Sequence, residues 1–350
     1  MRILLLSNMY PSAEKQYSGI YVKNFYEVLK GNKLFDVNLQ VMKRTYTGVL
    51  GSFFKYLNFS MRFLAQLTRK YDVVHLHFFY PLIYLAVLYK FIHPRTILIV
   101  TYHGTDIQNH GTNQYSLLLF RWCAKYVNHH IAVGKELAKT VSKKLGVSNV
   151  DVVPAGIDEN VFFLESKTEK NFDFIFVGSF YAEKGIPEYI SAIKSLNNKK
   201  IRFCFVGSGP LLNELMKLNT DFSVSIFQNQ TQSQIRQLFN QSRFMVLPSK
   251  RESFGLVASE ALFCGTPAIV SPVGGLVEQV KNNYNGLVIN KISGSAIKEA
   301  LEKALSIDVE TYNIMKKNAV QSNKQFSLKN VMEFHRNLYI KLISEHNSNV

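Results

Sequence analysis

Cysteine is scarce in this 350-residue chain, with only Cys123, Cys204 and Cys264 present, far apart and odd in number. Such a set builds neither a disulfide framework nor a cysteine metal site, and reads as reduced core thiols in the cytosol. Long apolar runs are also missing. The most lipid-like stretch, Phe78 to Tyr89, contains Pro81 and stops at Lys90, short of the roughly 20 apolar residues that a membrane-spanning helix needs. The opening Met1–Asn8 has an apolar run of only four residues and no small-residue cleavage site after it. It reads as a buried first strand and not as a signal peptide. Acidic residues are outnumbered by Lys and Arg, 25 to 41, for a formal charge of +16. The excess is uneven: residues 1–160 hold 19 basic and 9 acidic residues, +10, and the remainder carries +6. Such a field draws nucleic acid, anionic lipid or a phosphorylated ligand. No base-reading motif accompanies the charge, so nucleic acid is not an expected partner.

What is present is globular: 47% hydrophobic and 19% charged residues, enough chain for two ordinary domains. Strand patterns fall at Arg2–Ser7, Asp36–Met42, Val73–His77, Ile97–Thr101, His129–Val133 and Val150–Val153. A second series follows at Phe172–Val177, Ile201–Val206, Val224–Phe227, Phe244–Leu247, Ala268–Val270 and Gly286–Ile289. Several are continuous apolar runs, as in parallel strands covered on both faces, and helical patterns such as Ile20–Leu29 and Phe53–Arg69 lie between them. The alternation predicts an α/β protein of two doubly wound, Rossmann-like domains facing a central cleft. The expected division is a first domain over 1–160, a second over 171–325, and a C-terminal helix within 326–350 packing back toward the first.

The segment richest in chemistry runs from Leu247 to Gly275. A buried strand ends at Pro248, a short polar loop holds Glu252, and Gly255 allows a ligand close to the backbone. A helix then opens near Leu256, and its free amides suit a diphosphate. Glu260 lies near the same ligand, where a carboxylate can accept two hydroxyl hydrogen bonds of a ribose. The competing reading is two solvated surface glutamates.

Glu252 and Glu260, with seven residues between them, resemble the signature of the retaining glycosyltransferases of family four, which have the GT-B fold. The likeness extends over most of the chain. Ser7-Asn8 with Gly19 resembles the family's first strand and glycine loop, and Thr101–Asp106 its histidine–glycine loop. Pro154–Asp158 with Phe162 resembles the interdomain crossover. Val177–Gly185 and Val206–Pro210 open the second domain, and Pro272–Glu278 with Asn285–Leu287 complete the set. The resemblance implies that Glu260 binds the donor ribose and Glu252 the donor sugar. The amides of Phe254, Gly255, Leu256 and Val257 hold sugar and diphosphate. Lys184 offsets charge on the departing phosphate, His103 sits by the sugar and that phosphate, and Gly19 lets the first loop approach. One departure stands at Ser179, where the family often has an arginine; Arg251 is a candidate substitute.

Other signals are weaker. His75 and His77 share a strand face at a spacing that can hold zinc, but no Cys or carboxylate cluster completes a site, so no metal is expected. No Asp-X-Asp pair occurs, which fits metal-independent transfer without a cofactor, the nucleotide-sugar being substrate. Lys55, Arg62 and Arg69 recur every seven residues, with Phe59 and Phe63 flanking and Phe53, Leu57, Leu64 and Leu67 as the expected inner face. This stripe suggests an anionic membrane surface as partner. The expectation is a cytoplasmic, membrane-peripheral glycosyltransferase using a nucleoside diphosphate sugar and a glycan or lipid-linked acceptor. Its rivals are an inactive nucleotide- or glycan-binding protein and a basic nucleic-acid-binding protein.

Overall fold

The computed structural model describes residues 1–12, 18–42, 48–111, 113–219 and 221–348. The chain forms two compact units: Met1–Gly156 joined by Leu328–Val350, and Ile157–Ser327.

Unit 1 is built on β1 (Arg2–Ser7), β2 (Asp36–Val41), β3 (Val73–His77), β4 (Ile97–Tyr102), β5 (His129–Ala132) and β6 (Val150–Val152). They form one all-parallel sheet in the order β2-β1-β3-β4-β5-β6. The central strands β3 and β4 are buried at every position, because helices cover both faces. The helix Ile20–Gly31 lies on one face beside the final helix, Leu328–Ser348. Phe25, Leu29, Val331 and Tyr339 pack there against Ile3, Leu5 and Ile99.

Unit 2 repeats the plan with β7 (Phe172–Val177), β8 (Arg202–Val206), β9 (Ser223–Phe227), β10 (Ser242–Leu247), β11 (Ala268–Val270) and β12 (Gly286–Val288). Its parallel sheet runs β12-β11-β10-β7-β8-β9. Aromatics from β7, β8 and the helix Ile186–Lys194 stack in its core: Phe174 on Phe203 at 5.7 Å and Tyr189 on Phe205 at 5.4 Å.

All twelve expected strands are present, and the three cysteines are free and buried. The helix expected at Phe53–Arg69 runs instead over Gly48–Leu64, followed by turns, so Arg69 lies outside it. Its faces are also the reverse of the expected ones. Phe59 and Phe63 are core residues, while Phe53, Leu57 and Leu64 are exposed. The apolar residues surround this helix on every side, so spacing of the charges alone gives the wrong phase.

Candidate active site

In an open parallel sheet, ligands bind at the carboxyl ends of the strands, where neighbouring connections diverge. In unit 2 that point lies between β7 and β10. The chain runs outward through β8 and β9, then returns to lay β10 on the other side of β7. The loop after β7 ends in a 3-10 turn, Ala182–Lys184, and the loop after β10 carries Glu252. Strand adjacency brings these loops together. Lys184 Nζ meets Glu252 Oε1 in an ion pair, and Ser249 Oγ donates to the same oxygen at 3.0 Å. The Lys250 amide donates to the Glu183 carbonyl at 2.8 Å, while Lys250 Nζ pairs with Glu188 at 2.7 Å. Gly185, at φ +73°, allows the approach, since a Cβ there would lie 2.1 Å from the Pro248 carbonyl oxygen.

A third loop, Pro272–Gly275, supports Glu252 from behind. A Cβ on Gly274, at φ +51°, would fall 1.7 Å from the Glu252 carbonyl oxygen. Gly274→Ala must therefore displace the Glu252 loop. The expected result is a large loss of donor turnover, with destabilisation of about 1–3 kcal/mol. Gly31→Ala, which meets nothing within 4 Å, should stay within about 0.5 kcal/mol. Denaturant titration and donor hydrolysis check both.

Gly255, at φ +84°, caps the helix Leu256–Phe263 without any side-chain hydrogen bond to the first turn. The amides of Leu256 and Val257 thus lead a helix N-terminus that is open to an anion. Phe254 is buried against Phe326, their rings 5.4 Å apart. Gln279, which sequence reasoning missed, holds this corner: Nε2 donates to the Phe254 carbonyl, and Oε1 accepts from Ser259 Oγ at 2.6 Å. One turn into the helix stands Glu260. Burial alone raises its carboxyl to about 7, since no charge or donor among the described residues compensates the lost water. A ribose offering two hydroxyls would supply what the carboxylate lacks.

Gly19 and His103 belong to unit 1. Gly19, at φ +72°, opens the helix Ile20–Gly31, and a Cβ there would lie 2.6 Å from the carbonyl of Met9. Its need for glycine is met by its own chain. Residues 13–17 of that loop lie outside the described residues. His103 follows β4 in a turn that Asp106 holds. The Asp106 carboxylate accepts from the amides of His103 at 3.2 Å, Gly104 at 2.9 Å and Phe79 at 2.7 Å. His103 Nε2 lies 3.3 Å from His77 Nδ1, and its ring packs on Tyr21 and Phe78 at 4.6 and 4.5 Å. Burial pulls His103 down to about 3, so the imidazole is neutral at physiological pH and bonds as donor on one nitrogen and acceptor on the other. His75 is a core residue: Nδ1 meets Tyr339 Oη at 2.6 Å and Nε2 meets Thr101 Oγ1 at 2.8 Å. Among the described residues no group of three or more His, Cys, Asp or Glu is placed to hold a metal ion.

Two family models lie end to end on this chain. Residues 23–161 match the model Glycosyltransferase Family 4, and residues 158–322 match Glycosyl transferases group 1. The chain is a glycosyltransferase of the family-four type. This glycosyltransferase is 25% identical over 289 residues to N-acetyl-alpha-D-glucosaminyl L-malate synthase of Bacillus anthracis, covering 78% of this chain and 76% of that one. It is 26% identical over 278 residues to the capsular polysaccharide biosynthesis glycosyltransferase CapM of Staphylococcus aureus, covering 73% of each. Its fold is that of HepE of Anabaena, solved in complex with UDP and glucose, with a TM-score of 0.75 at 16% identity over the whole of both chains. The glycosyltransferase thus has the GT-B fold of two Rossmann-like units. Ser179, where the family often has arginine, is exposed, as is Arg251.

Proposed function

We propose that the protein is a retaining glycosyltransferase that moves a hexosyl unit from a nucleoside diphosphate sugar to a glycan or lipid-linked glycan in surface polysaccharide assembly. The observation that carries this reading is the junction of β7 and β10. One cation, one open helix N-terminus and one uncompensated carboxylate converge there on the binding end of a parallel sheet.

In this reading Glu260 accepts the two ribose hydroxyls, and the amides of Leu256 and Val257 hold the diphosphate. Glu252 contacts the sugar. As the anomeric C–O bond to the diphosphate breaks, negative charge grows on the leaving oxygen, and Lys184 stabilises it. The acceptor hydroxyl forms the new bond on the same face, and its proton passes to the leaving phosphate, which retains the anomeric configuration. His103 and Gly19 are the unit 1 residues that the family resemblance assigns to the donor. With no Asp-X-Asp pair in the chain, protein charge takes the place of a divalent metal. The capsule-related name of a relative supports the pathway, and a neighbour solved with UDP supports a uridine nucleotide as the first donor to try. A cytoplasmic, membrane-peripheral location belongs to the same reading.

A thermal-shift screen of nucleoside diphosphate sugars tests it. One donor is expected to stand out, adding about 2.7 kcal/mol at a hundredfold excess over its dissociation constant. Hydrolysis of that donor should follow. A protein that no nucleotide-sugar stabilises would not be a transferase of this kind.

A further inference from the structure

We propose that the outer helical layer of unit 1 is a docking face for an anionic lipid bilayer. The layer follows from topology. The steps β2 to β3, β3 to β4 and β4 to β5 all run the same way across the sheet. Right-handed connections then place the helices Gly48–Leu64, Ile83–Ile92 and Gln114–Ala124 on one face, opposite Ile20–Gly31, which follows the reverse step. About half of the large apolar side chains that the described residues expose lie on these three helices. Phe53, Met61, Phe91, Tyr115 and Leu118 are 61%, 60%, 53%, 86% and 54% exposed, and Trp122 is 42% exposed. The second and third of these helices join at the surface, since the Phe91 ring lies 6.0 Å from Trp122, and both meet Tyr126, at 4.9 and 5.1 Å.

Charge identifies the occupant. Residues 37–134 contain ten Lys and Arg and only two acidic residues, Asp72 and Asp106. Asp106 is buried, and Asp72 accepts from the Arg2 amide at 2.8 Å. The helices and their flanks therefore present exposed cations, Arg62, Arg95, Arg121 and Lys125, with no carboxylate of that stretch to neutralise them. A second copy of the chain would bring the same positive charge to the contact. A nucleic acid would pair the cations and leave the aliphatic and aromatic groups against phosphate. Anionic headgroups over an apolar interior satisfy both sets, with Trp and Tyr at the boundary between them. The inference deepens the membrane-peripheral part of the proposed function but uses none of its catalytic residues, so it is tested without donor.

Trp122 is the only tryptophan in the chain, and its emission reports the face directly. Phosphatidylglycerol vesicles are expected to shift the emission to shorter wavelength, and brominated acyl chains to quench it. Phosphatidylcholine vesicles should bind at least about tenfold more weakly, and added salt should reverse the binding. Phe53→Glu with Leu118→Glu should lower the partition coefficient by about tenfold or more. The same change at two exposed apolar positions of unit 2, Val309 and Ile314, should leave it unaltered, and both variants should keep the parent's melting temperature. No emission shift, equal binding to neutral vesicles, or equal loss in the unit 2 control would overturn the proposal. So would a parent that sediments as a dimer and a Phe53/Leu118 variant that is monomeric, because the face would then be covered by a second copy.

Discussion

Lys184→Ala is expected to lower donor turnover by about 10²–10³ while weakening the free nucleoside diphosphate less than about tenfold. The geometry requires this split. Lys184 Nζ sits on the same Glu252 oxygen that Ser249 touches, so removing it strips a half-buried carboxylate of the cation that pairs with it and, among the described residues, leaves one neutral donor. In the proposed reading it also removes the charge that meets the leaving phosphate and leaves the nucleoside end of the site, at Glu260, untouched. Glu252→Gln should likewise spare nucleotide binding and depress transfer. Because the two side chains share one contact, the double variant should lose far less than the product of the two single losses. Calorimetric titration of free nucleotide beside a hydrolysis or transfer assay reads all three proteins. Equal losses of binding and turnover in Lys184→Ala would make the lysine a simple anchor.

Glu260→Gln is expected to make the protein more stable and less functional at once. Burial raises the Glu260 carboxyl from its ordinary 4.5 to about 7. Between those values the folded chain holds a proton that the unfolded chain has released, so this residue's stability contribution is complete below 4.5 and is lost as pH rises through 7. Glutamine has no charge to desolvate. Its gain over the parent should be small at pH 4.5 and grow to about 3 kcal/mol by pH 8, at about 1.36 kcal/mol per unit. Nucleotide binding should move the other way, weakening by about 1.5–3 kcal/mol through loss of a charged acceptor. In the parent, nucleotide should bind more tightly as pH rises from 6 to 8 and release a proton near pH 7, read by calorimetry in two buffers of different ionisation enthalpy. A parent whose affinity ignores pH, or a variant that binds nucleotide as the parent does, would remove Glu260 from the ribose site.

The fold was legible because parallel strands covered on both faces must be apolar throughout. Runs such as Val73–His77 and Phe172–Val177 announce themselves, and their alternation with helices leaves few architectures. The surface helix Gly48–Leu64 was misread for the opposite reason: with exposed Phe53, Leu57 and Leu64 beside buried Phe59 and Phe63, no periodicity separates inside from outside. Within the site, Glu252, Gly255 and Glu260 could be found because they fall in one continuous segment. The Lys184–Glu252 pair could not, since the residues are 68 positions apart and meet only because β10 returns to pair with β7. Gln279 was missed, and the roles of Ser249 and Asp106 within quoted motifs went unread, for a related reason. Each acts by holding a backbone or a side chain in place, and a hydrogen bond to a carbonyl leaves no trace in residue spacing.

The division of the chain also has a consequence for how it is made. Unit 2 is one continuous stretch, whereas unit 1 owns both the beginning of the chain and Leu328–Val350. On the ribosome, domains fold as units in the order in which their segments emerge. The second-numbered unit is therefore the first that can be finished, and the first-numbered one must wait until Val331, Met332, Leu338 and Tyr339 arrive to cover Phe25, Leu29 and Phe35. Throughout synthesis of some 170 intervening residues, the apolar side chains that the final helix covers stay open to water, and this is the interval in which the chain has most need of a chaperone.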